Sequence, residues 1–198
     1  MEGGLSRIND NLQRIRELAV QAASDTNTAD DRTSIKTEID ERVKEIDRIA
    51  GSTTFNGTQL LDGTGAASLS IQVGGNTSAN DKIAVATYDA TSATLNVDAL
   101  AVTDSTTSNA TITAVDLALK SVDTSRATLG ATLNRFDSVV SNLQTSSTNL
   151  SAAKSRIEDA DYAVEVANMT RAQILQQAGT SVLSQANQST QSVLKLLQ

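Results

Sequence analysis

Few side chains in this sequence could carry out chemistry. Its 198 residues include no cysteine, histidine, tryptophan or proline. The lack of Cys removes disulfides, thiol nucleophiles and thiolate metal ligands, and the lack of His removes the usual general base near neutral pH. Carboxylate, Ser or Lys chemistry stays open, but the sequence contains no recognisable nucleophile–base arrangement and no phosphate-binding loop. We therefore expect no enzyme activity, no metal site and no cofactor.

The loop GGNTSAND at residues 74–81 carries several oxygen ligands of the kind that calcium prefers. Their spacing fits no established calcium loop, so we interpret this segment as a polar turn. The formal net charge is −7, and acids and bases are interspersed on the predicted helices. This balance disfavours nucleic acids and anionic membranes as partners.

No apolar run is long enough for a signal peptide or a membrane span. Three interpretations remain open at this point. The protein stays in the cytoplasm, it is secreted by a machine that needs no cleavable signal, or the sequence begins inside a longer protein.

Helices must position most of the side chains. The first helix is predicted over 5–23, and the second follows a cluster of turn-forming residues in which Thr28 or Asp30 is the candidate N-cap. Gly51 is the predicted stop of the second helix. Both helices carry apolar stripes at steps of three and four, formed by Leu5, Ile8, Leu12, Ile15, Ala19 and Ala22 and by Ile35, Ile39, Val43, Ile46 and Ala50.

The pattern changes to strands and turns in the middle of the chain. Asn56-Gly57 predicts a tight turn. The segment 94–102 is interpreted as a short extended piece and 103–109 as a polar linker. A half-buried β-hairpin is predicted from two segments that alternate polar and apolar residues, ASLSIQV (67–73) and KIAVATY (82–88).

The third helix has the clearest pattern and is predicted from about 110 to 155. At about 1.5 Å per residue it would be roughly 65–70 Å long, which favours an elongated shape. Its regular 3.5-residue period favours near-parallel packing against the first two helices, which would form an antiparallel hairpin. The stripe consists of Ile112, Val115, Leu119, Val122, Arg126, Leu129, Leu133, Phe136, Val140, Leu143, Ser147 and Leu150.

The predicted fold class is therefore mainly α with a small β region. We expect an elongated helical rod, an antiparallel coiled-coil-like bundle, capped by β-hairpins and followed by a long C-terminal helix. The predicted divisions are the N-terminal rod helices (1–50), the hairpin and a short variable region (51–107), the long rod helix (108–157) and the C-terminal helix (158–198).

The last forty residues form a wide, alanine-rich apolar face that the first three helices cannot cover, since those helices are needed against one another. An amphipathic helix alone in water is marginally stable. We expect a partner: other copies of the chain, an N-terminal segment absent from the sequence, or a chaperone. The alternatives are folding back onto the rod and, less favoured because the polar face has few Lys or Arg, membrane binding. The expected contact residues are Val164, Ala167, Ile174, Leu175, Ala178, Val182, Leu183, Ala186, Val193, Leu194 and Leu197.

Six segments, in order along the whole chain, closely resemble bacterial flagellin. They are DNLQRIRELAVQ (10–21), EIDRIAGSTTFNG (45–57), LSIQVG (69–74), RATLGATLNRFDS (126–138), SRIEDADYAVEVANMTRAQILQQAGTSVLSQAN (155–187) and VLKLLQ (193–198). The resemblance implies a structural filament subunit for motility whose two terminal helices pack in the filament core. The match begins near Glu2, so we expect an N-terminally truncated flagellin without the first core helix and the first long helix. The family's variable region would lie between about 87 and 107 and is short.

The resemblance also implies partners and a location. Partners would be other flagellin subunits, a flagellar export chaperone, the filament cap and hook-junction proteins, and Toll-like receptor 5 of animal hosts. Export by the flagellar type III apparatus would place the protein outside the cell, in the filament. The family's receptor-binding positions correspond to Gln13, Arg14, Leu18 and Glu38; Leu18 lies beside the main stripe of the first helix, so packing against another helix is an open alternative for it.

One further reading of the same features is a secreted coiled-coil effector or adhesin that shares the export route but does not polymerise. An enzyme would require a carboxylate pair in a cleft, which the sequence does not indicate.

Overall fold

The computed structural model describes residues 1–158 and 162–196, with side chains in these ranges through residue 188. The chain is 70% helical, with a long C-terminal helix and small antiparallel hairpins, which confirms the predicted fold class at that level. In chain order the elements are α1 (Glu2–Ala22), α2 (Ala29–Ser52), β1 (Thr54–Phe55), β2 (Thr58–Gln59), β3 (Ser68–Gln72), a 3₁₀ turn (Ala79–Asp81), β4 (Lys82–Ala86), α3 (Ser105–Glu158) and α4 (Tyr162–Leu196). Residues 1–141 form one compact unit, and a second unit begins at Asn142.

Helix α1 lies at the centre of the first unit. All six residues of its predicted stripe are buried, because steps of three and four keep them on one side of the helix. Asn9 Nδ2 donates to Asp123 Oδ1 at 3.0 Å, and Arg16 Nε donates to Asp116 Oδ1 at 2.6 Å. Increasing numbers in α1 therefore pair with decreasing numbers in α3, and the two helices are antiparallel.

Helix α2 packs antiparallel to α1 and begins at a capping box. Thr28 is the N-cap: its Oγ1 accepts from the backbone N–H of Asp31, while the Asp31 carboxylate accepts from the backbone N–H of Thr28. The helix continues through Gly51 to Ser52, so the predicted stop is one residue early. Thr53 ends the helix in an extended conformation, with its Oγ1 donating to the Ile49 carbonyl at 2.7 Å.

Both predicted β features form antiparallel hairpins. Strands β1 and β2 are joined by the two-residue turn Asn56-Gly57, whose φ angles of 49° and 77° are those of the turn that Asn-Gly favours. Strands β3 and β4 pair in the register Ile71 opposite Ile83. Ile83 is buried and Leu69 packs partly against the core, but Ile71 is exposed.

The segment 94–102 is not extended, contrary to the prediction. It forms successive turns, with Asn96 in a left-handed conformation at φ 56°. The turns let four side chains point into the same core, which an extended strand with alternating faces could not do. The buried side chains are Leu95, Val97, Leu100 and Val102.

Helix α3 begins at Ser105, inside the segment predicted as a linker. Asp104 is the reason: its Oδ1 accepts from the Thr107 backbone N–H at 2.7 Å, which satisfies a free donor of the first turn. In addition, Ser108 Oγ donates to the Asp104 carbonyl at 2.7 Å. A run of polar residues that resembles a linker in composition is therefore the start of a helix.

The prediction that α3 is covered along its whole stripe is wrong for its second half. The stripe is buried at Val115 and Val122 but exposed at Leu133 and Val140. Arg126 Nε donates to Glu2 Oε1 at 2.8 Å. Glu2 is the first residue of α1, so the contacts between α1 and α3 extend along α3 only to about Arg126. Beyond Arg126 the apolar stripe of α3 continues with the same spacing, but α1 no longer covers it.

We expect acid to weaken the starts of α2 and α3. Hydrogen bonds from the Thr28 side chain and backbone lower the pKa of Asp31, and those from the Thr107 backbone and side chain lower the pKa of Asp104. A carboxylate with a lowered folded-state pKa contributes stability above its unfolded pKa of about 3.9, and that contribution is lost as pH falls through the folded value. Circular dichroism between neutral pH and about pH 2 should therefore show a smaller acid loss of helix in an Asp31→Asn, Asp104→Asn double variant than in the parent.

Asp30→Asn is the matched control for this measurement, because Asp30 also lies in the first turn of α2 but outside the capping box. Its acid transition should follow that of the parent. Identical profiles for the parent and the double variant would show that the two caps contribute nothing to acid stability.

Candidate functional site

In residues 1–158 and 162–196 no three His, Cys, Asp or Glu side chains lie together as metal ligands. In the loop proposed as a polar turn, Ser78 caps the 3₁₀ turn and its Oγ donates to the Asp81 carboxylate at 2.8 Å. This loop therefore satisfies its own polar groups. Across the same ranges, no helix has both the length and the apolarity to cross a bilayer.

Helix α4 carries an exposed apolar face. Ile174, Leu175, Val182 and Leu183 are 60–67% exposed, although such side chains are among those most often buried in folded proteins. Their spacing distributes them over about half of the circumference of the helix. A contiguous apolar surface of this kind marks a binding surface.

The structure places most of the predicted partner contacts on this helix. Among the described side chains all are exposed: Val164, Ala167, Ile174, Leu175, Ala178, Val182, Leu183 and Ala186. Val193 and Leu194 lie within the bounds of α4, but their side chains are outside the described set, and Leu197 is outside the described residues. Whether these side chains contact another molecule stays a prediction.

The apolar surface of the second unit is larger than predicted. Leu143, Leu150 and Ile157 on the last part of α3 are exposed, as are Tyr162 and Met169 on α4. Leu143 and Leu150 were assigned to an intramolecular stripe, while Tyr162 and Met169 fall outside the predicted stripe. Periodicity identifies which side of a helix is apolar, but it does not identify what covers that side.

Three of the four predicted receptor-binding residues lie on the exposed surface of α1 and α2. Arg14 Nε donates to Glu38 Oε1 at 3.0 Å, and Arg14 Nη1 donates to Glu17 Oε2 at 3.0 Å. The hydrogen bond with Glu38 is the first cause of the raised pKa of Arg14, followed by that with Glu17. Gln13 Nε2 donates to Asn9 Oδ1 at 2.7 Å. The Arg14–Glu38 bond joins the polar surfaces of α1 and α2.

Leu18 is placed differently from the other three. It is only 2% exposed and belongs to the core that α1 shares with α2 and α3. The structure therefore brings Arg14 and Glu38 together on the surface and puts Leu18 beneath it. Direct contact of Leu18 with another molecule would require the helices to separate.

Sequence reasoning missed Phe55, which is 68% exposed at the end of strand β1. The sequence did contain a signal for this exposure, because a Phe directly before Asn-Gly lies at the end of a strand, next to a two-residue turn. A two-strand hairpin with two residues per strand offers little cover for an aromatic ring.

Family models, related sequences and a solved structure all indicate the same protein family. Residues 1–66 match the family model for the bacterial flagellin N-terminal helical region, and residues 112–197 match that for the bacterial flagellin C-terminal helical region. A flagellin of Halalkalibacterium halodurans is 40% identical over 196 residues, which cover 99% of this chain and 72% of that protein. A flagellin of Xenorhabdus nematophila is 42% identical over 237 residues, covering 99% of this chain and 75% of that protein. The crystal structure of Bacillus cereus flagellin is 34% identical with a TM-score of 0.63, over 77% of this chain and 86% of that one.

Proposed function

Since the chain belongs to the bacterial flagellin family, we propose that the apolar face of α4 is the surface through which it joins other subunits. Flagellins are structural proteins of the flagellar filament and not enzymes. Membership also makes the protein an exported component of an extracellular filament.

The observation that carries the proposal is the exposure of Ile174, Leu175, Val182 and Leu183. Full burial of such a side chain contributes about 1.5–3 kcal/mol, so the four, which are already about one-third buried, would contribute about 4–8 kcal/mol. Association of two molecules costs about 4–15 kcal/mol in lost translational and rotational freedom. A single pairwise contact is therefore close to balance, whereas a helix packed among several neighbours gains on several sides. This energetic balance favours a polymer over a simple dimer.

Hydrogen exchange tests this proposal. In the dilute, isolated chain the amides of 162–188 should exchange faster than those of the buried stretch 111–122, because no packing opposes opening of α4. In filaments the amides of 162–188 should become protected. Equal protection of both regions in the dilute chain would contradict the proposal.

The exposed apolar face of α4 also suggests partners that act before and during assembly. We propose that a flagellar export chaperone covers α4 in the cytosol, because an exposed apolar helix promotes aggregation. The filament cap and hook-junction proteins are proposed partners at the two ends of the polymer. An effector or adhesin that does not polymerise is the alternative function, and it predicts no protection of α4 at any concentration.

Recognition by Toll-like receptor 5 is a second proposed function. The supporting observation is the Arg14–Glu38 pair, which bridges α1 to α2 and in which the side chains are 45% and 40% exposed. Arg is enriched at the centres of protein interfaces, and prior ordering of its side chain lowers the entropic cost of binding. Variants of Arg14 and Leu18 in a receptor reporter-cell assay test this function.

A further inference from the structure

Asn56 and Gly57 form the exposed tip of the β1–β2 hairpin, and they are the single Asn-Gly pair in the sequence. Asn56 adopts the left-handed conformation, with φ at 49°. Within residues 1–158 and 162–196, neither its carboxamide nor the backbone N–H of Gly57 forms a hydrogen bond. A carboxamide and the backbone nitrogen that follows it are the two groups that react when asparagine loses ammonia, and here both are exposed and unbound.

We propose that Asn56 is a site of spontaneous deamidation, which converts it to aspartate and isoaspartate without an enzyme. The Gly57 nitrogen loses its proton and attacks Asn56 Cγ. A new Cγ–N bond forms, the Cγ–Nδ2 bond breaks, and the amide group leaves as ammonia, which yields a five-membered cyclic imide. Water then opens this ring at either carbonyl, so one water is consumed for each ammonia released. The reaction uses no residue of α4, so it is independent of the proposed assembly surface.

The surroundings of Gly57 favour this attack. Gly57 has no Cβ, and no atom beyond its chain neighbours lies within 4 Å of the point that a Cβ would occupy, so the approach to its nitrogen is open. The two strands of the hairpin have only two residues each. Because so short a hairpin opens easily, Asn56 can leave the turn geometry and rotate its carboxamide toward the Gly57 nitrogen.

Asn96 provides the contrast within the same chain. It is the other non-glycine residue with a positive φ in the described ranges, at 56°, and it is also exposed. The residue that follows it, Val97, is fully buried, and the Val97 backbone N–H donates to the Ser92 carbonyl at 2.9 Å. The nitrogen that would attack Asn96 is therefore held by a hydrogen bond in the core. The two sites share a backbone conformation and differ in the freedom of the attacking nitrogen.

The two products have different effects on the hairpin. Aspartate adds one negative charge and keeps the turn, since Asp-Gly also favours this type of two-residue loop. Isoaspartate carries the main chain through its side-chain carbonyl, which adds one methylene to the loop. The register that places Phe55 opposite Thr58 depends on loop length, so isoaspartate should loosen the pairing at the tip.

Peptide mapping by mass spectrometry tests the proposal on the full chain, aged in mildly alkaline buffer. Asn56 should convert at least about tenfold faster than Asn96, which corresponds to a barrier lower by about 1.4 kcal/mol. Labelling with protein isoaspartyl methyltransferase should identify isoaspartate in the peptide that contains Asn56. Asn56→Gln is the matched control, because its longer side chain would have to close a six-membered ring, so position 56 should stay unmodified over the same time.

Ageing in guanidinium chloride separates the contribution of the fold from that of the local sequence. Unfolding frees the Val97 nitrogen, so the conversion of Asn96 should accelerate more than that of Asn56. If Asn56 in the folded chain converts no faster than Asn96, or if unfolding accelerates both equally, the hairpin protects Asn56 and the proposal is wrong. Aspartate without isoaspartate would also overturn it, because opening of a cyclic imide gives both products. None of these results bears on assembly through α4.

Discussion

Replacement of both Ile174 and Val182 by aspartate should prevent the chain from entering flagellar filaments, while residues 1–141 stay folded. Both side chains are more than half exposed on the apolar face of α4, so the change removes no packing from the dilute chain. In an assembled filament the same positions would bury two carboxylates without partners. Each unpaired buried charge costs several kcal/mol, which exceeds the gain from the apolar side chains that it replaces.

Sheared flagellin filaments used as seeds provide the measurement. Co-sedimentation and electron microscopy would follow incorporation of the parent chain and the variant, and circular dichroism would report the helix content of each monomer. Gln173→Asp with Ser184→Asp is the matched control, since it adds the same two charges on the side of α4 opposite Val182. The control should incorporate like the parent. If the Ile174, Val182 variant incorporates equally well, the apolar face of α4 is not a subunit interface.

Local sequence patterns were sufficient to predict α1, the start of α2 and the β1–β2 turn. The α1 stripe is buried at every predicted position because a helical period selects one side of the helix regardless of tertiary detail. Thr28 was predictable as an N-cap because its hydroxyl and the Asp31 carboxylate satisfy each other's backbone N–H groups locally. The Asn56-Gly57 turn likewise depends on the conformational preferences of two residues.

Features that depend on long-range packing were not predictable. Segment 94–102 contains alternating apolar residues typical of a strand, but its side chains are needed in one core, and tertiary packing overrides the local preference. The stripe of α3 has the same period at Val122 and at Leu133, yet only the former is covered. For the candidate site, the sequence indicated which residues form the apolar side of α4, while the buried position of Leu18 and the exposed position of Phe55 required the fold.

The burial of Leu18 gives a large expected effect that separates stability from recognition. Leu18→Ala should lower the free energy of unfolding of the first unit by about 2–5 kcal/mol, because it removes a buried side chain and leaves a cavity among three helices. Urea unfolding followed by circular dichroism measures this change. Leu18→Met nearly conserves the volume and should cost less than about 1.5 kcal/mol.

Arg14→Ala should have the opposite effect, with little change in stability and a loss of receptor activation. Its side chain is exposed, so unfolding should stay near that of the parent, while potency in a Toll-like receptor 5 reporter assay falls by about tenfold or more, as for the loss of an interface Arg. Arg48→Ala is the matched control, because Arg48 also forms an exposed ion pair on α2, with Glu45.

If Leu18 acts by supporting the helix surface, Leu18→Met should restore potency together with stability. A loss of potency in Leu18→Met with parental stability would instead show that the receptor contacts the leucine directly, and parental potency in Arg14→Ala would remove Arg14 from the receptor surface.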